Sequence, residues 1–357
     1  MGYERPTIAR MHGYTPGKQP ASTDTIKLNT NENPYPPSDA VMRALHAVSA
    51  EALRRYPEPS AERFRELAAQ VHGVMPAQLV AVNGGDELLR MVVTTFVEPG
   101  APIGVLEPSY SLYPVLAEIN ASPVVRVPAR DDFAVPDDFA ERLNEAGVKL
   151  ALLVNPHAPS GRLAGRAQLA RLARAFRGVL LIDEAYVDFV DPELAHDLLP
   201  MVREHDNVLF LRTLSKGYSL AGLRFGYGIG CESLIEPLMG KTRDSYNVDV
   251  VAQALAHAAL TDRASAAGTW QRVRQERTRV TEALRALGCR VADSHSNFVL
   301  AELPGKAPKA VDLQAALEAR GVLVRYFAQP RLYDSLRITI GTPAQNDRLL
   351  TLLHELL

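Results

Sequence analysis

The chain has 357 residues, of which 47% are hydrophobic and 22% are charged, and its formal net charge is −2. This length exceeds what one hydrophobic core usually serves, so we expect a globular protein of two domains. The near-neutral charge and the dispersed basic residues argue against a nucleic-acid or membrane-surface partner. No apolar run approaches the ~18 residues that a membrane-spanning helix needs.

The two cysteines, Cys231 and Cys289, have neither CxxC spacing nor neighbouring histidines. This usage favours neither a disulfide framework nor a zinc site, and it is typical of a reducing compartment. The first residues, MGYERPTIAR, are charged and interrupted by proline, unlike the apolar core of a signal peptide. We therefore predict a cytoplasmic protein without a metal site.

The chain starts with a stretch rich in proline, glycine and polar residues, which predicts an extended arm over 1–38. A helix is predicted over 38–56, SDAVMRALHAVSAEALRRY, with Ser38 and Asp39 at its start. Another helix is predicted over 60–73, and it ends at Gly73.

From residue 79 onward, short apolar runs alternate with helical patterns. Strands are predicted at 79–83, 103–107, 123–128, 149–155, 178–186 and 207–213. Helices are predicted between them at 85–98, 109–120, 136–147 and 166–178. Several strands are apolar throughout, which is typical of a mostly parallel sheet with helices on both faces. We assign this α/β domain to 39–240.

The last part of the chain alternates less regularly. A long helical tract is predicted around 250–287, a helix at 310–321, and strands at 298–303, 322–327 and 335–341. This mixture predicts a smaller α+β domain over 241–357.

Ligands of open parallel sheets bind beyond the carboxyl ends of the strands, so the residues that follow the strands are candidate site residues. These are Gly84, Gly85, Asp86, Tyr110, Asn155, Asp183, Tyr186, Thr213, Ser215, Lys216 and Arg224. Each alone has an ordinary explanation, such as a turn, a helix cap or a solvated lysine. Together they supply what pyridoxal phosphate requires: a lysine for a Schiff base, a carboxylate for the pyridine nitrogen and an anion site for the phosphate.

The predicted roles follow from the chemistry of each side chain. Lys216 is the nucleophile and the acid/base that moves the α-proton, and Asp183 pairs with the ring nitrogen. Tyr110 stacks on the ring, while Asn155 and Tyr186 contact its phenolic oxygen. The phosphate is assigned to the start of a helix and to nearby donors, namely Gly84, Gly85, Asp86, Thr213, Ser215 and Arg224.

Five motifs, in this order, resemble those of the fold-type I pyridoxal-phosphate aminotransferases, in particular the histidinol-phosphate aminotransferase branch. They are KLNTNENPYPPS, RYPEP, NPHAPSG, LIDEAYVDF and TLSKGYSLAGLRFGY. The resemblance covers nearly the whole chain. It implies a seven-stranded large domain, a small domain and a homodimer with shared active sites.

The resemblance also implies roles for residues outside the strand ends. Tyr56 of the partner subunit reaches the cofactor phosphate. Arg325 and Arg337 hold the anionic group of the substrate, and Tyr14 on the arm lies over the substrate. Asn155 is assigned to the substrate as well as to the cofactor.

The chain departs from the family pattern at three positions. Ala158 and Ser160 stand where the Asn-Pro motif usually has asparagine and threonine, and Pro36 replaces a usual glycine. These positions approach the substrate channel and not the cofactor ring, so they bear on substrate choice.

The expected reaction is amino transfer between histidinol phosphate and 2-oxoglutarate, which yields imidazole-acetol phosphate and glutamate in histidine biosynthesis. Two alternatives share the scaffold: an aminotransferase for aromatic or other amino acids and a phosphothreonine decarboxylase. Arg337 does not separate them, because a guanidinium binds carboxylate and phosphate with the same geometry. A non-catalytic regulator that binds the cofactor is a more remote alternative, and it would need a DNA-binding module that the arm is too short to contain.

Overall fold

The structure, a computed structural model, describes residues 2–20 and 22–357. The N-terminal part contains α1 (Pro6–Arg10), β1 (Ile26–Lys27), α2 (Asp39–His46), α3 (Ala50–Leu53) and α4 (Glu62–His72). The arm is therefore not extended throughout. The helix predicted over 38–56 is two helices, because the Ser49 side chain accepts a hydrogen bond from the Ala52 N–H and so caps a new start.

A seven-stranded sheet forms the centre of the molecule. Its strands and the helices between them are β2 (Leu79–Val82), α5 (Gly85–Phe96), β3 (Ile103–Glu107), α6 (Leu112–Ile119), β4 (Val124–Pro128), α7 (Phe139–Glu145), β5 (Leu150–Val154), α8 (Arg166–Ala175), β6 (Val179–Asp183), α9 (Met201–Glu204), β7 (Val208–Thr213) and β8 (Gly226–Gly230). The strand order is β2-β8-β7-β6-β5-β3-β4, and only the pairings of β8 are antiparallel.

Hydrophobic cores lie on both faces of this sheet, as the apolar strands predict. In β5, Ala151 and Leu153 belong to one buried cluster, whereas Leu150 and Leu152 belong to the other. Alternate side chains of a strand point to opposite faces, so both faces are covered. The mostly parallel α/β sheet predicted from the sequence is confirmed.

Strand β8 was missing from the strands read from the sequence, because its sequence, GYGIG, has three glycines and glycine disfavours strands. The reason for the glycines is close packing. A Cβ at Gly228 would lie 2.9 Å from Val80 and 3.1 Å from Leu88, the latter on α5. The short contacts let α5 lie directly on the sheet.

The C-terminal part contains α10 (Glu232–Pro237), a π-helical turn (Leu238–Thr242), α11 (Val250–Thr261), α12 (Arg263–Ala286), β9 (Arg290–Val291), β10 (Phe298–Glu302), α13 (Ala310–Ala319), β11 (Val322–Leu323), β12 (Arg325–Tyr326), β13 (Ser335–Thr339) and α14 (Pro343–Leu356). The run predicted as one strand over 322–327 is two strands in different sheets. Helix α14 was not predicted, although the reciprocal hydrogen bonds of Thr342 and Gln345 mark its start.

The smaller sheet is antiparallel, with the order β12-β13-β10-β9. Strand β1 of the arm pairs in parallel with β11, so the arm is attached to the C-terminal part of the chain. The domain boundaries after residues 38 and 240 stay a prediction. None of the described helices combines the length and apolarity required to cross a lipid bilayer.

Candidate active site

A cavity of about 320 Å³ opens at the carboxyl edge of the large sheet, between that sheet, the arm and the smaller sheet. Most of the predicted site residues line it, namely Tyr14, Gly85, Asp86, Tyr110, Asp183, Tyr186, Thr213, Ser215, Lys216, Arg224, Arg325 and Arg337. These residues come from distant parts of the chain. The cavity is therefore the place where the strand ends, the arm and β12–β13 meet.

Three predicted residues do not line the cavity. Gly84 directly precedes the first turn of α5. Asn155 is buried, and its side-chain amide forms hydrogen bonds with the backbone N–H (2.8 Å) and carbonyl (3.2 Å) of Ala164. Tyr56 is 80% exposed and stacks on Tyr246 with ring centroids 4.5 Å apart. The roles of these three residues stay predictions, as do those of the residues that line the cavity.

Lys216 follows β7, and its amine donates a hydrogen bond to the carbonyl of Thr30 at 2.9 Å. Burial lowers the pKa of Lys216 to about 8, and the positive charges of Arg337 and Arg224 act in the same direction. The nearby carboxylates of Glu32 and Asp86 oppose this effect. A larger fraction of this amine is thus neutral and nucleophilic near pH 7 than for an ordinary lysine.

Asp183 is the last residue of β6 and is 5% exposed. Its Oδ2 accepts a hydrogen bond from the Tyr113 hydroxyl at 2.9 Å, and its Oδ1 accepts one from the Ala185 N–H at 3.0 Å. Burial raises the pKa of Asp183 to about 6, while these two hydrogen bonds lower it. The carboxylate is held in one orientation and lines the cavity.

Tyr186 is bound to a residue of the arm. Its hydroxyl accepts a hydrogen bond from the side-chain amide of Asn31 at 3.0 Å. Asn31 has a left-handed backbone (φ +57°), and its side-chain oxygen accepts a hydrogen bond from the Thr339 hydroxyl at 3.0 Å. Burial raises the pKa of Tyr186, and the charge of Arg337 opposes that shift.

One end of the cavity is rich in donors for an anion. Helix α5 begins there, and its first N–H groups have no partner within the helix. Arg224 lies beside this helix start with Nη2 3.4 Å from Oδ2 of Asp86 and Nη1 3.5 Å from Oγ of Ser215. A Cβ on Gly84 would lie 2.7 Å from Nη2 of Arg224, so only glycine leaves room for the guanidinium.

Two arginines lie at another part of the wall. Arg325 and Arg337 are directly opposite each other in the β12–β13 pairing. Arg337 donates from Nη2 to the carbonyl of Asn29 at 3.0 Å, and its guanidinium lies 5.3 Å from the ring centroid of Phe327. No carboxylate among the described residues forms an ion pair with either arginine. Two uncompensated guanidinium groups favour a bound anion.

Several residues that support this site were not among those predicted from the sequence. Tyr113 donates a hydrogen bond to Asp183, and Asn31 donates one to Tyr186. The carbonyl of Thr30 accepts a hydrogen bond from Lys216. Phe327 packs against Arg337. Asn31 and Thr30 lie in the quoted motif KLNTNENPYPPS, so the motif carried a signal that was not assigned to single residues. Tyr113 had no such signal.

The residues present fit pyridoxal phosphate. The pocket next to Gly84 and Arg224 is a donor-lined space that a Cβ would fill, the buried carboxylate suits a protonated ring nitrogen, and the lysine amine has a lowered pKa. The buried side-chain oxygens of Thr30 and Ser109, both in residues that line the cavity, have no hydrogen-bond partner among the described residues. Such groups are typical of a site that is completed by a ligand.

A mostly parallel sheet with a lysine of lowered pKa and a buried aspartate at its carboxyl edge places the protein among the fold-type I pyridoxal-phosphate enzymes. Comparison with known proteins is more specific. The chain belongs to the aminotransferase class I and II family, whose model matches residues 23–353. Members of this family depend on pyridoxal phosphate.

Two relatives are named histidinol-phosphate aminotransferases. The chain is 42% identical over 356 residues to histidinol-phosphate aminotransferase 1 of Trichormus variabilis, which covers 99% of each chain. It is 43% identical over 352 residues to the histidinol-phosphate aminotransferase of Rippkaea orientalis, which covers 99% of this chain and 98% of the relative. The crystal structure of the Sinorhizobium meliloti histidinol-phosphate aminotransferase with pyridoxal-5'-phosphate has the same fold, with a TM-score of 0.88, 23% identity and coverage of 100% and 99%.

Proposed function

We propose that the protein is a histidinol-phosphate aminotransferase, which transfers an amino group between histidinol phosphate and 2-oxoglutarate in histidine biosynthesis. The full-length identity to relatives of that name supports this substrate. The observation that carries the proposal is the uncompensated guanidinium pair of Arg325 and Arg337 in the same cavity as Lys216. A dianionic phosphate monoester benefits from two such groups more than a monoanionic carboxylate does.

When bound, pyridoxal phosphate supplies an electron sink for the charge that develops at the substrate carbon. Lys216 holds the cofactor covalently and then moves a proton at that carbon. Asp183 keeps a proton on the pyridine nitrogen, and Asn155 and Tyr186 donate hydrogen bonds to the phenolic oxygen. Tyr110 covers one face of the ring.

The cofactor phosphate is held in this proposal by the start of α5 and by side-chain donors, which are Gly84, Gly85, Asp86, Thr213, Ser215 and Arg224. Tyr56 of the partner subunit adds a further donor. The exposure of Tyr56 in the single chain supports this role, because a side chain that serves another subunit must reach the surface.

Arg325 and Arg337 are assigned to the phosphate of the substrate, and Tyr14 is assigned to the rest of the substrate. Tyr14 is close to the proposed ring position, since its ring centroid is 5.9 Å from that of Tyr110. The protein is a homodimer in the cytoplasm. Each subunit has an arm over 1–38, a large domain over 39–240 and a small domain over 241–357. The two cysteines are unpaired, which supports a reducing compartment.

A substrate panel tests the proposal. The pyridoxamine-phosphate form of the enzyme is offered imidazole-acetol phosphate, phenylpyruvate and other oxo acids, and kcat/KM is compared. We expect a clear preference for imidazole-acetol phosphate. Preference for phenylpyruvate would support an aromatic aminotransferase instead, and release of carbon dioxide from phosphothreonine would support a decarboxylase.

The variant Arg337→Ala tests whether the guanidinium pair of Arg325 and Arg337 binds the substrate phosphate. Loss of a charge-assisted hydrogen bond should reduce kcat/KM for the phosphorylated substrate by about 100-fold. Uncharged substrate analogues should lose much less. Arg320→Ala is a suitable control, because Arg320 directly follows α13 and its side chain bonds, among the described residues, only the carbonyl of Ala316 in that helix. Equal losses on phosphorylated and uncharged substrates would contradict the assigned role.

A further inference from the structure

Tyr113 is a fully buried tyrosine below the cavity floor. It lies in the first turn of α6 and is 0% exposed. Its hydroxyl has one polar contact among the described residues, the 2.9 Å hydrogen bond to Oδ2 of Asp183. Burying a hydroxyl is unfavourable without a partner, and this contact supplies that partner.

The hydroxyl can only donate in this contact. Burial raises the pKa of Tyr113 well above its ordinary value, and the charge of Asp183 acts in the same direction, so the phenol keeps its proton over the working pH range. A donor stabilises the ionised form of its carboxylate partner. The hydrogen bond from Tyr113 therefore lowers the pKa of Asp183, whereas burial raises it.

The same chain segment carries the ring that is proposed to stack on the cofactor. Tyr110 and Tyr113 are three residues apart, and their rings meet edge to face with centroids 5.5 Å apart and an interplanar angle of 84°. The other oxygen of Asp183 is held by the Ala185 N–H. The carboxylate is thus fixed from two sides, by its own strand end and by α6, and its remaining lone pairs are available to the cavity.

We propose that Tyr113 is a positioning residue that keeps Asp183 ionised and correctly oriented toward the pyridine nitrogen of the cofactor. It does not touch the reacting atoms. This inference rests on the proposed cofactor role of Asp183 and deepens it. The protonation of the cofactor's ring nitrogen then depends on two residues, Asp183 on β6 and Tyr113 on α6.

The test compares Tyr113→Phe with Tyr227→Phe in the holoenzyme. Tyr227 is a matched control, because it is also buried (3% exposed) and its hydroxyl also has one side-chain contact, to His72 at 2.9 Å. The difference is the partner, since Asp183 lines the cavity and His72 does not. Each variant is titrated with pH while the visible absorbance of the lysine-bound cofactor is recorded. Melting temperatures are measured in parallel.

We expect the apparent pKa of the chromophore to rise by about 1 in Tyr113→Phe, because a neutral Asp183 no longer supports a positive ring nitrogen. We expect kcat to fall roughly ten- to a hundredfold with little change in KM. Tyr227→Phe should leave both quantities unchanged, although both variants lose some thermal stability.

A second measurement separates positioning from packing. In an Asp183→Ala background, Tyr113→Phe should reduce kcat by no more than about twofold, because the group that it positions is absent. An unchanged chromophore pKa in Tyr113→Phe, or full additivity with Asp183→Ala, would overturn the inference. If the spectral effect appears but the substrate panel favours another substrate, the inference stands and the histidinol-phosphate proposal fails. Absence of cofactor binding in the wild type would overturn both.

Discussion

At the scale of single residues, the two side chains to which we assign the chemistry, Lys216 and Asp183, lie in surroundings that differ from water. Lys216 is next to Arg337 and Arg224 and is held by a backbone carbonyl and not by a carboxylate. Asp183 is buried and bound by a phenol and a backbone N–H. Both environments disfavour the charged form, so the pKa values move toward neutrality from opposite sides: about 8 for the lysine and about 6 for the aspartate.

The lowered pKa of Lys216 predicts how fast the apoenzyme takes up the cofactor. Only the neutral amine attacks the aldehyde, so the rate should rise with pH and have its midpoint near 8 instead of 10.5. Stopped-flow absorbance after mixing apoenzyme with pyridoxal phosphate measures it. In Arg337→Ala the midpoint should move upward, because a positive charge that lowers the pKa is removed.

The lowered pKa of Lys216 also makes the stability of the apoenzyme depend on pH. Between pH 8 and 10.5 the unfolded chain binds more protons at Lys216 than the folded apoenzyme does. Lys216 therefore makes the free energy of unfolding increase with pH in this window. A midpoint near 10.5 in the uptake experiment, or no dependence on Arg337, would contradict the assignment of a perturbed amine.

At the scale of elements, the start of α5 and strand β8 are built from glycines for different reasons. Gly226 and Gly228 of β8 allow α5 to approach the sheet, whereas a Cβ at Gly230 would meet Leu209 of β7. Gly84 has a backbone conformation, φ +78° and ψ +163°, that is essentially restricted to glycine, and it leaves space for Arg224. The proposed anion site thus depends on the absence of a side chain as much as on the donors that are present.

Gly84→Ala tests this dependence. The new Cβ would contact the Arg224 guanidinium and strain the backbone, so we expect a loss of about 1–3 kcal/mol in the free energy of unfolding. The affinity for pyridoxal phosphate should also fall, by roughly tenfold or more. Urea denaturation and cofactor titration give the two quantities.

Gly100→Ala is the control for Gly84→Ala. Gly100 also has a positive φ, of +90°, but a Cβ there would meet nothing within 4 Å. This variant should lose stability without losing cofactor affinity. Similar cofactor affinities in the two variants would show that the displacement of Arg224 is unimportant.

At the scale of the whole molecule, the cavity is closed by contacts between the C-terminal part and the large sheet. The loop between β12 and β13 carries Arg331, which donates hydrogen bonds of 2.7 Å to the carbonyls of Ala129 and Arg130, just beyond β4. Its guanidinium also lies 4.8 Å from the ring centroid of Phe133. Phe327 and Leu332 of the same loop line the cavity.

Arg331→Ala is expected to loosen this closure. The loop should exchange amide hydrogens faster, and KM for the phosphorylated substrate should rise about five- to tenfold, since the wall that carries Phe327 is less ordered. Hydrogen exchange and steady-state kinetics measure the two effects, with Arg320→Ala as a control. Unchanged exchange in the loop would contradict the role of Arg331.

The sequence by itself determined the type of sheet and which residues lie at the carboxyl ends of its strands. Strand and helix periodicities are local, and the carboxyl ends of parallel strands meet at one edge, so Asp183, Lys216 and Arg224 could be assigned to one site without coordinates. Strand β8 was not predicted, because glycine disfavours strands locally and the close contacts of these glycines with α5, β7 and α10 exist only in the folded chain.

Only the tertiary structure decided which groups support those residues. The hydrogen bonds Asn31–Tyr186, Lys216–Thr30 and Tyr113–Asp183 join residues 155, 186 and 70 positions apart in the chain. No periodicity or turn preference links positions at such separations, because they meet only when the arm, α6 and the sheet pack together. The local pattern predicted side chains that line one cavity, and long-range packing sets their orientation and hydrogen-bond partners.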